Sequence, residues 1–331
     1  MSTNTATDLT LLDVAKRLDP DGGAADIAEL LNTDNEMLID MPWVEGNLPT
    51  GHRVTVRTGL PDVAWRKLNQ GVPQSKSTTA QIDESCGMLE AFGQVDIDLA
   101  MLNGNTAAFR MGENRGFIEA MNQEMQSTLI YGDTSVNPER FLGIAPRFGD
   151  ITGPENAENI IDASGSSTDN TSIYLVGWAP HTVHGIYPKG SKAGLIHEDL
   201  GIDTVTDSSG RKYRAYHDRY QWKCGIAVRD WRYIVRIANI DVSDLTYNAG
   251  SGANLIDLMT RALERIHSLN GVRPVFYANR TIRSYLRRQT VAKIAGSTLT
   301  YDAVGGKPVL SFSEVPVRRV DAITNAESRV V

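Results

Sequence analysis

Between residues 173 and 201 the chain reads IYLVGWAPHTVHGIYPKGSKAGLIHEDLG, which sets His181, His184 and His197 near Lys189, Lys192 and several acids. Two imidazoles three residues apart can share a metal ion on one face of a helix. Pro180 and its extended or turn-like neighbours argue against a helix, and in a strand residues three apart point to opposite faces. No third ligand stands at a familiar spacing and HExxH is absent, so His181 and His184 read as hydrogen-bonded structural histidines. PKGSKAG at 188–194 has the makings of an anion-binding loop, but a solvated turn explains it as well. GSGANLIDLM at 250–259 lacks the third glycine of GxGxxG and the GK[ST] ending of a P-loop, and reads as a plain loop and helix start. GxSxG does not occur. Neither Cys86 nor Cys224 has an adjacent histidine, which leaves only a partner brought near by folding. A metal- or phosphate-dependent enzyme built on His181, His184, His197 and Lys192 therefore stands as the alternative to a chain with no catalytic residue, metal or cofactor.

The 331 residues suffice for two compact lobes, or for one domain with large excursions, and 41% hydrophobic content suits a globular core. A net charge of −7 argues against binding nucleic acid by phosphate neutralisation. The N-terminus MSTNTATDLT lacks a basic, then apolar, leader, and no apolar run approaches the roughly 20 residues that span a bilayer, so a cytoplasmic protein is expected. Two cysteines far apart without CxxC fit reduced, buried thiols.

Residues 1–40 carry two short amphipathic pieces around DPDGG, too little apolar surface for a core of their own, so they gain order by packing on this body or on a neighbour. Val54 and Val56, then Val95, Ile97 and Leu99, alternate with polar residues as in two strands of a long hairpin. Between them NQGVPQSKSTTAQ, 69–81, is polar, and is either a mobile loop or a protrusion lying on another subunit; the protrusion is favoured because long loops in compact proteins tend to be functional. Residues 106–131 predict a helix with Ile118, Met121, Met125 and Leu129 as its core stripe and Gly132 as its end, bent or closely approached at Gly112 and Gly116. Strands are expected at 172–178, 203–206 paired with 211–216, 222–228, 232–238, 273–278 and along the tail. A helix carries Leu255, Leu258, Met259, Ala262 and Ile266, and another follows Asn279 as its cap. On that last helix Arg280, Arg283, Arg287 and Arg288 make a basic face that meets an acidic neighbour, DNA or, most commonly, water.

Several phrases coincide with one pattern: CGMLEAFGQVDIDLA (86–100), LNGNTAAFR (102–110), EAMNQEM (119–125), YGDTSVNPERFLGIAPR (131–147), VHGIYPKGSKAGLIHEDLG (183–201), AVRDWRYIVRIANI (227–240), RPVFYANRTIRSYLRRQ (273–289) and VPVRRVDA (315–322). Over most of its length the chain resembles the major capsid proteins of podovirus-like tailed bacteriophages, of the HK97-like fold group. The resemblance implies an α+β fold with an N-terminal arm (1–44), an extended loop with flanking strands (45–100) and a peripheral domain with a spine helix (101–134). An axial domain (135–300, with 222–247 assignable to either) and C-terminal peripheral strands (301–331) complete it. It further implies a non-enzymatic virion protein that self-assembles as hexamers and pentamers into an icosahedral shell around double-stranded DNA, built in the host bacterial cytoplasm. Candidate partners are scaffold, portal and an external cement protein. Interface candidates are Asn69, Gln70, Val72, Gln74, Lys76, Thr78 and Gln81 in the loop, with Leu9, Leu12, Leu30 and Trp43 in the arm. Lys67 and Lys76 lie in the loop, but no local motif supports covalent crosslinks. A capsid-binding accessory protein is the remaining alternative.

Overall fold

The computed structural model describes residues 36–102, 106–206, 209–245, 254–291, 299–304 and 307–331; the candidates Leu9, Leu12 and Leu30 and the glycines of 250–252 lie outside the described residues. In chain order the elements are α1 (Met37–Asp40), β1 (Trp43–Glu45), β2 (Gly51–Gly59), β3 (Thr78–Ser85), β4 (Gly87–Asp96), α2 (Ile97–Met101), α3 (Thr106–Tyr131) and α4 (Ile144–Arg147). There follow β5 (Ile160–Asp162), β6 (Asn170–Trp178), β7 (Val183–Tyr187), β8 (Leu195–Thr206), β9 (Lys212–Val228), β10 (Ile234–Asp241), α5 (Leu255–Arg265), β11 (Arg273–Ala278), α6 (Arg280–Val291), β12 (Leu299–Val304), β13 (Lys307–Phe312) and β14 (Val315–Arg319).

Contacts divide the chain into two units. The larger holds Asp34–Gly87, Gln126–Ala193 and Cys224–Val331, and the smaller holds Met88–Met125 and Gly194–Lys223. In the larger unit β6 (NTSIYLVGW) is buried at every position, as expected of a strand with both faces covered, and it pairs antiparallel with β10 on one side and β11 on the other. β11 continues through β14 and β13 to β12, while β7 joins the end of β6 and pairs with β1 and with the last residues of β9. Helix α5 buries Leu255, Leu258, Met259 and Ala262 beneath an Asn254 cap, and Asn279 Oδ1 accepts the Ile282 amide at 2.9 Å to start α6.

Among the described residues of the sheet the deeply buried cation is Arg236, and it is well partnered. It pairs with Glu327 at 2.8 Å and donates to the carbonyls of Phe148 (2.9 Å) and Ala145 (3.3 Å), while Glu327 also accepts the Tyr131 hydroxyl at 2.6 Å. The C-terminal tail is therefore part of the core, and removing Glu327 leaves a buried charge at a cost of about 3–5 kcal/mol.

The smaller unit is a ribbon of β8 and β9 flanked by β4, with the first turns of α3 packed on it through Phe109, Val95 and Ala100. Phe117 stacks on Tyr220, ring centroids 6.4 Å apart. Three expectations differ here. The hairpin partner of β2 is β3, not the 95–99 segment: TTAQIDES is polar but β-branched enough to pair, whereas Asp96 caps the short helix α2 by accepting the Asp98 amide at 2.8 Å, ending the strand pattern at Val95. β8 and β9 form one long ribbon rather than a short hairpin, and 222–228 continues β9 instead of forming a separate strand. Ile118 is 43% exposed, because Phe117 occupies the ribbon-facing position in the stripe with Phe109 and Met121. Met121, Met125 and Leu129 are buried as expected, and a side chain at Gly116 would meet open space, so no close approach occurs there.

Met121→Asp places a charge on the buried face and lowers subunit stability by about 4 kcal/mol or more, while Ile118→Asp changes it by only about 0.5 kcal/mol. Circular-dichroism melts of the unassembled protein check both; equal effects at the two positions contradict this helix face.

Candidate assembly surface

The hairpin begins where backbones come closest. A Cβ on Gly51 would lie 2.0 Å from the Glu84 carbonyl oxygen, so only glycine opens β2. From there the two strands pair from Gly51↔Ser85 outward to Gly59↔Thr78. At the root Glu84 is 5% exposed and receives both guanidinium nitrogens of Arg147, at 2.7 and 2.6 Å; Arg147 also donates to the Gly143 and Leu142 carbonyls. A desolvated bidentate pair of this kind is directional, and losing either partner costs about 3–5 kcal/mol. Outward, the Arg53–Asp83 pair (2.6 Å) is solvent-exposed and holds register more than it adds stability.

Beyond Gly59 the chain runs without regular structure to Thr78, closed by the Lys67–Gln70 turn with Asn69 at φ 61° and by the Asp62 amide on Ser75 Oγ at 2.8 Å. The candidates Asn69, Gln70, Val72, Gln74, Lys76, Thr78 and Gln81 are all exposed, but Thr78 and Gln81 belong to β3 rather than to the loop. The residues that matter most for burial were missed. Leu60, Val63, Trp65 and Leu68 are 80–103% exposed. Four large apolar side chains in one solvated loop are a recognisable signal of an unfilled contact, and they lie just before the 69–81 segment. Trp43 is half-buried, its indole lying over Gly185, and residues 37–45 form α1 and β1 of the larger unit. Asp40 holds this stretch down by pairing with Arg273 at 2.7 Å and Arg318 at 3.3 Å.

The chemical candidates separate. His184 is fully buried in β7, whereas His181 sits in the exposed turn before it, and Lys189 and Lys192 are exposed on the turn carrying Gly190 at φ 79°. His197, in the smaller unit, hydrogen-bonds Asp218 at 2.9 Å and stacks on Tyr220. Among the described residues no three His, Cys, Asp or Glu side chains are placed to hold a metal ion. Burial pushes the Cys86 thiol up to about 11 and raises that of Cys224 further. On α6, Arg280 pairs with Asp321 at 3.2 Å and Arg288 lies over the Tyr285 ring at 5.3 Å. Among the described residues no helix is long and apolar enough to cross a membrane.

A long helix, a large mixed sheet and a projecting hairpin define the HK97-like class of phage coat proteins. A chain from the structure of bacteriophage Epsilon15 is 36% identical, covers 100% of this chain and 99% of its own, and superposes with a TM-score of 0.78. A chain of the bacteriophage JBD30 capsid is 10% identical over 90% of this chain and 95% of its own, with a TM-score of 0.49. A search of curated proteins finds no match. Residues 19–331 match the major capsid protein GP7 family, and the chain belongs to that family. It is a structural coat protein of a phage virion, assembling into multi-subunit icosahedral shells, and the enzyme reading of the histidine segment falls with that membership.

The root of the hairpin is sensitive to acid. His184 meets His52 edge-on at 5.8 Å; burial first, then His52 and Arg229, hold its imidazole down at about 4. His52 is lowered too, by burial and Arg229 against the opposing Glu84. Each is a base with a folded pKa below its unfolded value, so the unfolded chain takes up protons first as pH falls. Stability is complete above the ordinary value of 6.5 and declines as pH drops toward about 4, by up to about 3 kcal/mol for His184. His184→Leu, which removes ring nitrogens that have no hydrogen-bond partner, flattens the dependence. Melts of both proteins across that range check it; parallel curves contradict it.

Proposed function

We propose that the chain forms hexamers and pentamers of a shell enclosing double-stranded phage DNA, with the extended loop and the part of the arm (1–44) that precedes α1 serving contacts to neighbouring subunits, while residues 37–45 stay on their own body. The carrying observation is the loop itself: Leu60, Val63, Trp65 and Leu68 are left in water by their own chain, which a neighbour's surface can correct. In this reading 101–134 and 301–331 serve as the peripheral domain with α3 as its spine, 135–300 as the axial domain with 222–247 shared, and Arg280, Arg283, Arg287 and Arg288 as a subunit- or solvent-facing side. Net charge of −7 supports enclosing DNA without sequence-specific grip. Scaffold, portal and an external cement protein are the proposed partners, and the host bacterial cytoplasm the place of assembly.

Because 78–85 is a strand, the informative deletion is residues 61–76, closed by a two-residue turn. The variant is expected to fold with an unchanged melt as a free subunit and to give fewer closed shells of lower heat resistance. Negative-stain microscopy and thermal dissociation measure this; wild-type yield and heat resistance contradict the loop's role.

A further inference from the structure

We propose that the two turns at one end of the β6–β10 pair bind a calcium-class divalent cation through the Asp169 and Asp241 carboxylates and the side-chain oxygen of Asn170. All three residues lie in the larger unit, so the site is complete in a free subunit and is independent of the shell reading. Asp169 is the last residue before β6, and Asp241 is the last of β10. The Val242 amide donates to the Asp169 carbonyl at 3.2 Å, which sets the two segments side by side, and the carboxyl groups of Asp169 and Asp241 come within hydrogen-bond reach of each other. The Ser167 hydroxyl and the Ser243 amide bond to Asp169, while Ser243 also donates from its amide (3.0 Å) and hydroxyl (2.7 Å) to Asp241 Oδ1. These donors are neutral, so they orient the carboxylates without cancelling their charge. Asp162 and Asp244 bring two more acids to the same strand ends, and among the described residues none of the four makes an ion pair with Lys, Arg or His.

Two touching carboxylates either share a proton or bracket a cation. Asn170 decides between the two. It is 1% exposed and stands directly opposite Asp241 in the antiparallel ladder, so both side chains leave the sheet on one face. Its Nδ2 donates to the Ser167 carbonyl at 2.7 Å, and its Oδ1 has no donor. Asp169 Oδ1 is likewise closed to solvent and unpartnered. Buried acceptors left bare are costly, and a proton held between the carboxylates does nothing for the amide oxygen, whereas a cation satisfies all three groups. Every one of these ligand atoms is oxygen, with no imidazole or thiolate among them, which suits a hard ion. Calcium accepts about 6–8 oxygens in irregular arrangements that mix carboxylate, amide oxygen and water, while magnesium demands a near-octahedral shell and keeps most of its water.

The probe is calcium alone on the full-length, unassembled protein after treatment with EGTA. At about 10 mM calcium the thermal midpoint is expected to rise by about 3 °C, for binding to the folded state at about 10⁻⁴–10⁻³ M, and the same concentration of magnesium is expected to move it far less. Asp169→Asn and Asp241→Asn keep the shape of the side chain and remove its charge. Each is expected to fold and to lose the calcium shift, and calorimetric titration to show a single calcium per subunit in the wild type and none in either variant. Asp244→Asn, which changes an exposed acid on the same turn, is expected to keep the shift. No calcium response in the wild type, a response of wild-type size in a folded site variant, or an equal shift from magnesium overturns the proposal. A midpoint that follows pH through the carboxylate range and ignores calcium assigns the pair a shared proton and also overturns it.

Discussion

The β2–β3 hairpin is held at its root by one desolvated ion pair, Glu84 with Arg147, which binds the returning strand to the short helix α4. Without it, the two strands would rest on their ladder, the exposed Arg53–Asp83 pair, the Asn47–Arg53 hydrogen bonds and the His52–His184 contact. An isolated two-stranded hairpin is marginal in water. Tied at the base through a geometry-specific fork, this hairpin has its root held to the body. Gly51 and the buried His52–His184 contact complete the joint, and that contact is also where acid acts.

The distribution of apolar surface explains why a single copy is unfinished. The large sheet is dry on both faces at β6 and β10, and even its cation is satisfied through Glu327 of the tail. The loop, by contrast, spends its largest side chains on solvent. Closure of a shell engages many modest contacts at once while rejecting geometries that do not close.

Much of the body was legible in the residues. The stripe Met121, Met125, Leu129 and the apolar runs at 172–178 and 273–278 announced their elements because burial enforces periodicity. β3 was not legible as a strand, since a solvated strand needs no apolar alternation. Ile118 misled because two stripes run side by side on a helix and only the packing of Phe117 on Tyr220 decides between them. Glu84 and Arg147 stand 63 residues apart, and no local pattern links them. Residue chemistry by itself left an enzyme on the histidine segment standing as the alternative; the long shared phrases, and then family membership, supplied the function.

Hydrogen–deuterium exchange on residues 60–77, compared between free subunits and closed shells, tests the central claim most directly. The loop backbone has few internal hydrogen bonds, so fast exchange is expected in the free subunit and marked protection in the shell, with the β2–β3 root protected in both. Equally fast exchange of the loop in closed shells contradicts the account.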